Sequence, residues 1–445
     1  MEWFNNLTVT AVDLAWGLPM VILLISAGLY FTVAGRFMPF RGLRHSIDIL
    51  QGKFDDPNDP GEITHFQALS SALSATIGMG NISGVAIALV LGGPGAIFWM
   101  WIAGLVGMST KFFTCTLATM YRKPDERGID QGGPMYYIEV GLGRWAKPLA
   151  IMFAVFGMIG CLGMFQANQL AGLLHQDWGI SRWWTGLVCA GIVAIVILGG
   201  IVRVGKVTAK IVPAMFLIYV GSALIIILGN AGDIPAIIGN IIGSAFSGQA
   251  LIGGGTAVAF REIIINGVKR AAFSNEAGIG TAPMAHGAAK TDEPVREGLI
   301  AMLGPFIDTN LVCTMTALVI LSMGVPAAED GVVMTVNAFE KGMPGFGRYV
   351  LTMVIVLFSI STMISYSYYS LKCSRYLFGF KVGSWYVYVY ILSMLVAALW
   401  TQDTVINILD TAFAAMAFPT LIGTLLLSPR VVSATRDYFR RTFGK

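Results

Sequence analysis

The sequence predicts an all-α, polytopic membrane protein of about eleven transmembrane helices: a five-plus-five inverted repeat with two broken helices and one extra N-terminal helix. Three observations predict it. Of 445 residues, 56% are hydrophobic and only 12% are charged, with mean hydropathy +0.71; an average soluble domain carries about 25% charged residues. Apolar blocks of about 20 residues, the span of a membrane helix, recur along the whole length. The basic residues gather in alternate loops between those blocks.

Taken in order, the apolar stretches are residues 12–34, 66–91, 95–120, 147–174, 183–202, 207–228, a complicated segment 251–289, then 298–323, 349–378, 385–400 and 405–427. Each is expected to be helical, because backbone exposed to lipid satisfies its own hydrogen bonds only in a helix or a closed barrel. Barrel strands alternate over about ten residues, and these blocks do not. With eleven spans, one side of the membrane receives all but six of the 29 Lys and Arg, the exceptions being Arg182, Arg261, Lys269, Arg270, Lys341 and Arg348. The positive-inside rule then puts the N-terminus outside and the basic C-terminus in the cytoplasm of a multi-pass cell-membrane protein. Residues 1–14 hold Glu2 and Asp13 but no Lys or Arg, so no secretory signal sequence is expected. Cys115, Cys161, Cys189, Cys313 and Cys373 lack metal-ligand spacing and read as small apolar packing residues. A net charge of +4 in such a chain gives no reason to expect nucleic acid.

Two of the stretches are poor continuous helix. The second contains Thr76-Ile77-Gly78-Met79-Gly80-Asn81, and the seventh contains Phe273-Ser274-Asn275-Glu276-Ala277-Gly278-Ile279-Gly280-Thr281-Ala282-Pro283. Glycine costs about 1 kcal/mol against alanine within a helix and proline about 3. For either site alone, close packing through small residues is as good a reading as a break. The pair, 200 residues apart with five stretches to a unit, matches corresponding broken helices in two inverted halves. An unwound point frees N–H groups at one half-helix and carbonyls at the other. Together these suit an amino-acid zwitterion and a sodium ion without leaving a bare charge in lipid.

The block Gly92-Gly93-Pro94-Gly95-Ala96-Ile97-Phe98-Trp99-Met100-Trp101-Ile102-Ala103-Gly104-Leu105-Val106-Gly107 resembles the signature of the sodium:alanine (alanine or glycine:cation) symporter family, departing from it at Gly104. Gln131-Gly132-Gly133-Pro134-Met135-Tyr136-Tyr137, the run from Ser274 to His286, and Phe306-Ile307-Asp308-Thr309 extend the resemblance over most of the chain. It implies a LeuT-type fold with alternating access, sodium-coupled import of alanine or glycine, and no other cofactor. It further implies that the N–H groups of Met79 and Gly80 hold the substrate carboxylate, while carbonyls of Thr76 and Phe273, with Ser274, face its ammonium. Asn81, Asn275, Glu276 and Gly278 lie in the unwound stretches expected at the substrate. Sodium would take carbonyls of Ser74 and Ile77 and hydroxyls of Ser361 and Thr362.

Several residues have two readings. Ser361 and Thr362 either ligate sodium or bond back to the preceding helical turn. Gln166, Asn168 and Gln169 are costly in lipid and must face inward; Gln166 points to the pocket or to a neighbouring helix. Glu276 caps the second half of its broken helix, touches the ammonium, or titrates during transport. Asp308 either pairs with Arg270 or Lys269 or tunes the cation site. Phe273 and Tyr366 are expected to wall the pocket and limit it to a small side chain. His286 reads as a packing residue near a helix end, and Trp99 and Trp101 as interfacial or packing aromatics rather than substrate-stacking groups.

No paired acids, His cluster or nucleophile with its base marks an enzyme. Two breaks that differ from the neighbouring spans and are pseudo-symmetric within one chain fit a carrier better than a channel. A carrier of the same fold driven by protons through Glu276 or Asp308 is the remaining alternative. The expected organisation is an accessory helix and loop over 1–64, repeats over 65–230 and 231–428, and a basic tail over 429–445.

Overall fold

The computed structural model describes residues 15–247, 256–326 and 331–444, with Thr10 and Val12. Residues 13 and 14 of the first apolar stretch and 251–255 of the seventh lie outside the described residues. Among the described residues the regular structure is helical apart from one antiparallel pair, β1 (Lys123–Pro124) and β2 (Asp130–Gln131), and an isolated parallel bridge. Every apolar stretch contains helix.

In chain order the helices are α1 (Leu18–Ala34), α2 (Leu43–Leu50), α3 (His65–Thr76), α4 (Gly80–Gly92), α5 (Gly95–Met120), α6 (Pro134–Leu142), α7 (Arg144–Trp178) and α8 (Arg182–Ile197). They continue as α9 (Gly200–Gly229), α10 (Ile234–Ser247), α11 (Thr256–Asn275), α12 (Ala282–His286), α13 (Pro294–Met323), α14 (Gly331–Gly342), α15 (Gly347–Ser384), α16 (Tyr386–Leu399) and α17 (Gln402–Phe443). Among the described residues, α5, α7, α9, α13, α15 and α17 are long and apolar enough to cross a membrane. The pair α3 and α4, bent by 52°, adds a seventh if it is one span; α1, α8, α16 and the apolar part of α10 are shorter. Helix α10 falls between the sixth and seventh stretches, where the sequence suggested no element.

Large apolar side chains face outward, and a set of polar groups is buried within the apolar core. Ile195, Leu198, Leu217 and Leu228 on α8 and α9 or between them are 68–72% exposed, whereas Ser74, Asn81, Glu276, Asp308 and Thr362 are all buried. That is the distribution lipid demands, since polar groups are tolerated only where other protein groups bond them. The signature block forms α5, which lies against both broken helices. At Gly107 a side chain would start 2.9 Å from Ala277 Cβ, and at Gly104 it would start 2.5 Å from Asn310 Oδ1. Those glycines are contact surfaces for α11–α12 and α13.

The last helix, α17, is continuous over 42 residues and includes Pro419 and Pro429. Near its start Asp410 accepts from Lys269 and Arg270 of α11, each at 2.7 Å. At its end Tyr438 meets His45 of α2 at 2.7 Å, and Arg441 pairs with Glu293 at 2.6 Å.

Candidate functional site: two broken helices against α15

Helix α3 opens on a capping box: Thr64 Oγ1 accepts from Gln67 N at 3.2 Å, and Gln67 Oε1 accepts from Thr64 N at 3.0 Å. It stops at Thr76, where Ile77 turns extended (φ −71°, ψ 97°). Asn81 supports the turn, its Oδ1 accepting the Gly78 N–H at 2.8 Å. The chain resumes through a wide π-type turn, Gly80–Gly84, into the rest of α4.

The second break is longer. Beyond Asn275 the backbone turns left-handed at Glu276 (φ 56°), Gly278 (φ 90°) and Gly280 (φ 102°) before α12 begins. Glycine takes this region freely; glutamate does so at a cost. Bonds hold it there. The Glu276 carboxylate accepts the hydroxyls of Thr281 and Tyr366, and Asn275 Oδ1 accepts the Ala277 N–H at 2.9 Å. The Glu276 carboxylate thus links Thr281, beside the start of α12, to Tyr366 of α15.

The two breaks touch. A side chain at Gly80 would start 3.3 Å from Ser274 Cα and 3.5 Å from Phe273 Cδ1. One buried carboxylate joins them: Asp308 accepts from Asn81 Nδ2 at 2.8 Å, Ser274 Oγ at 2.7 Å and Thr309 Oγ1 at 2.9 Å. Asn275 Nδ2 in turn donates to Thr309 Oγ1 at 2.9 Å. Pairing with Arg270 or Lys269 was one of two readings weighed for Asp308; both cations pair with Asp410 instead. Asp410 lies in the third turn of α17 and had no sequence signal beyond being an acid among apolar residues.

On its other side the first break meets α15. Thr362 Oγ1 donates to the Ser74 carbonyl at 2.9 Å, and Ser74 Oγ donates to the Ser361 carbonyl at 2.7 Å. The Ser361 hydroxyl bonds back to Phe358 O at 3.0 Å, the alternative weighed for it. Ser74, Ile77, Ser361 and Thr362 are thus all buried, with Ser74, Ser361 and Thr362 bonded to one another across the α3–α15 contact.

Aromatic rings border the second break. Phe273 meets Phe165 edge-on at 5.2 Å and Phe413 at 5.6 Å, and Phe413 lies 6.4 Å from Tyr366. Phe165 and Phe413 were not singled out in the sequence, since an aromatic in an apolar span carries no mark of which way it faces. Gln166, next to Phe165, is buried with its Oε1 unpartnered. Asn168 donates to the Ala397 and Trp400 carbonyls at 2.8 and 2.9 Å, so it caps α16. Trp99 and Trp101 donate to Ala245 O and Thr314 Oγ1, as packing residues do. His286 departs from the packing role expected of it: its Nδ1 lies 2.6 Å from Glu297 Oε2.

A cavity of about 760 Å³ opens at the end of the molecule that carries the basic loops, lined by Glu139, Tyr368, Lys372, Arg375 and the 123–127 loop among others. Lys372 donates to Met284 O of α12 at 3.1 Å and to Tyr368 Oη at 3.0 Å. At the rim, burial works against the charge of Asp125. The Arg127 guanidinium and the N–H groups of Arg127 and Ile129 outweigh it and hold the carboxyl below its ordinary range.

A model of the sodium:alanine symporter family matches residues 1–444. The chain is 42% identical over 447 residues to the sodium/alanine symporter AgcS of Methanococcus maripaludis, covering 98% of this chain and 97% of that one. It is 32% identical to the probable sodium/glutamine symporter GlnT of Bacillus subtilis, covering 96% and 89%. Among solved structures it resembles MhsT in complex with L-phenylalanine (TM-score 0.58, 11% identity, 84% of this chain and 98% of that one). It also resembles a Na+-coupled sialic acid symporter (TM-score 0.55, 13% identity, 93% and 98%). Identities this low show the shared LeuT-type fold alone. The family and these relatives are transporters, not enzymes. With its two broken helices in contact and its polar groups turned inward, this chain is a multi-pass membrane transporter and belongs to the sodium:alanine symporter family.

Proposed function

We propose that this protein imports a small neutral amino acid, alanine or glycine, together with sodium, by alternating access, with its N-terminus outside and its C-terminus in the cytoplasm. The observation that carries the reading is the knot of neutral oxygens where the first break meets α15: Thr362 Oγ1 lies 2.9 Å from Ser74 O. Neutral hard oxygens suit a monovalent hard cation. Sodium entering between these atoms exchanges one O–H···O bond for contacts to the Ser74 and Ile77 carbonyls and the Thr362 hydroxyl, with Ser361 turning its hydroxyl inward. Substrate would lie on the Met79 and Gly80 N–H groups, its ammonium toward the carbonyls of Thr76 and Phe273 and toward Ser274 and Gln166. The unpartnered Gln166 Oε1 supports this, since a buried acceptor lacks only a donor. Asn81, Asn275, Glu276 and Gly278 hold the breaks in shape. Phe273 and Tyr366, with Phe165 and Phe413, would wall the substrate's side chain, which favours a small one. Coupling follows from sharing, because the five residues from Thr76 to Gly80 border both sites and whichever solute binds first orders them for the other.

The test is uptake of labelled alanine into proteoliposomes under an inward Na+ gradient against a K+ gradient. Saturable uptake should require Na+. Thr362→Ala should raise the Na+ concentration for half-maximal uptake about tenfold or more, the equivalent of about 1.4 kcal/mol, while Thr362→Ser should stay near the parent. Uptake indifferent to replacing Na+ with K+ would overturn the reading.

A further inference from the structure

The ends of both broken helices that lie toward the basic loops carry a cluster that transport leaves unused. His65 opens α3, His286 closes α12 and Glu297 lies in the first turn of α13; none is more than 1% exposed. Glu297 Oε1 contacts His65 Nδ1, and Glu297 Oε2 lies 2.6 Å from His286 Nδ1. An ionised carboxylate only accepts, so each imidazole gives it the Nδ1–H and keeps Nε2 as its proton-accepting atom. Neither Nε2 has a hydrogen-bond partner, and they differ in what they face. His65 Nε2 has Asp55 Oδ1 at 3.8 Å, whereas among the described residues no second carboxylate lies within 4.0 Å of His286.

The cluster joins the two broken helices. Ile63, before α3, and Ala289, after α12, form a parallel bridge. Arg122 ties it, donating to Gly287 O and Pro60 O at 2.9 Å, to Thr291 O at 3.2 Å and to Ala289 O. The charged and titratable groups facing the triad are Asp55, Arg122 and Arg296, with the Cys115 thiol from α5. With both imidazoles neutral the triad holds one net negative charge in a fully buried place, and one proton cancels it.

We propose that the triad is a proton site: His65 Nε2 takes up one proton, facing Asp55, and that proton tightens the clasp between the near halves of the two broken helices. It is not the coupling ion's site. His65 lies nine residues, about 13 Å of helix, before Ser74, and the inference does not depend on which amino acid is carried. The protonated clasp holds α3, α12 and α13 as one body; losing the proton returns one net negative charge to the buried triad and loosens it.

The experiment is thermal unfolding of the purified full-length protein in sodium-free detergent solution between about pH 5 and 8, where imidazoles titrate. The melting temperature should fall by several degrees through one step as pH rises. His65→Gln should remove the step, and Asp55→Asn should move it about one unit toward lower pH by deleting the facing anion. A His65→Gln protein that keeps the parent's step overturns the proposal. So does an unmoved step in Asp55→Asn, whose exposed loop position keeps the test available should His65→Gln not fold. Alanine uptake measured in parallel separates the two readings. A step without uptake counts against the proposed substrate alone, and uptake with a flat melting profile counts against the proton site alone.

Discussion

Asn81 shows what a single residue does in a membrane interior. Its amide gives and takes at once: the oxygen holds Gly78 N–H, the nitrogen reaches Asp308, and its backbone carbonyl accepts from Thr316 at 2.7 Å. Asn81→Ala removes all the side-chain bonds and strips one donor from a buried carboxylate. Because bonds to charged groups are worth about 1.5–3 kcal/mol and orphaned partners add to the loss, unfolding measurements should show a loss of roughly 2–4 kcal/mol. Asn81→Asp should be no better, since it cannot donate and sets a second carboxylate against Asp308. An Asn81→Ala protein as stable as the parent would mean the amide does not hold the break. In the sequence Asn81 stood out as a polar residue beside Gly-x-Gly. Its partners were invisible because Ser274, Asp308 and Thr316 lie some two hundred residues away, and nothing local marks long-range pairing. Asp410 and Glu297 were missed for the same reason.

Both breaks were legible as elements, because Gly-x-Gly inside a membrane-length run conflicts with helix on propensity alone. Their shapes were not. Nothing in the sequence separates Glu276, which adopts the left-handed conformation, from the residues around it, and the wide turns at Gly80–Gly84 and Phe306–Cys313 leave no mark. Gly280 offers the test. It combines φ 102° with a position where a Cβ would start 2.5 Å from Thr420 Oγ1, 2.7 Å from Phe153 Cε2 and 2.8 Å from Pro134 Cγ. Gly280→Ala therefore meets both backbone strain and overpacking, each costing about 1–3 kcal/mol, and should lower the melting temperature markedly. Gly191→Ala on α8 has open space around it and should be neutral or slightly stabilising. Equal effects from the two substitutions would show that the break tolerates a side chain.

For the whole molecule, composition already dictated the inside-out arrangement, with polar groups in the core and leucine and isoleucine toward lipid. Where each helix ends was less legible: α10 passed unnoticed, and of eleven apolar stretches six helices, or seven with the bent pair, reach spanning length and apolarity. Orientation rests on the basic loops and has a direct check. All five cysteines are buried, so an introduced exposed cysteine becomes the reactive one. Arg436→Cys should label only from the cytoplasmic side of sealed vesicles and Ser181→Cys only from the outside. Labelling of both from one face would overturn the odd number of crossings between them.

The length of α17 has a mechanical meaning. At 1.5 Å per residue its 42 residues make a rod of about 63 Å, twice the thickness of the hydrocarbon layer. The rod is pinned by ion pairs to the polypeptide that forms the breaks, through Asp410 near one end and Arg441 near the other. A displacement of α11 and one of the start of α13 are therefore both felt by the same piston, at points about 46 Å apart along it. Pro419 and Pro429, each lacking the N–H that would stiffen its turn, are where that piston can flex.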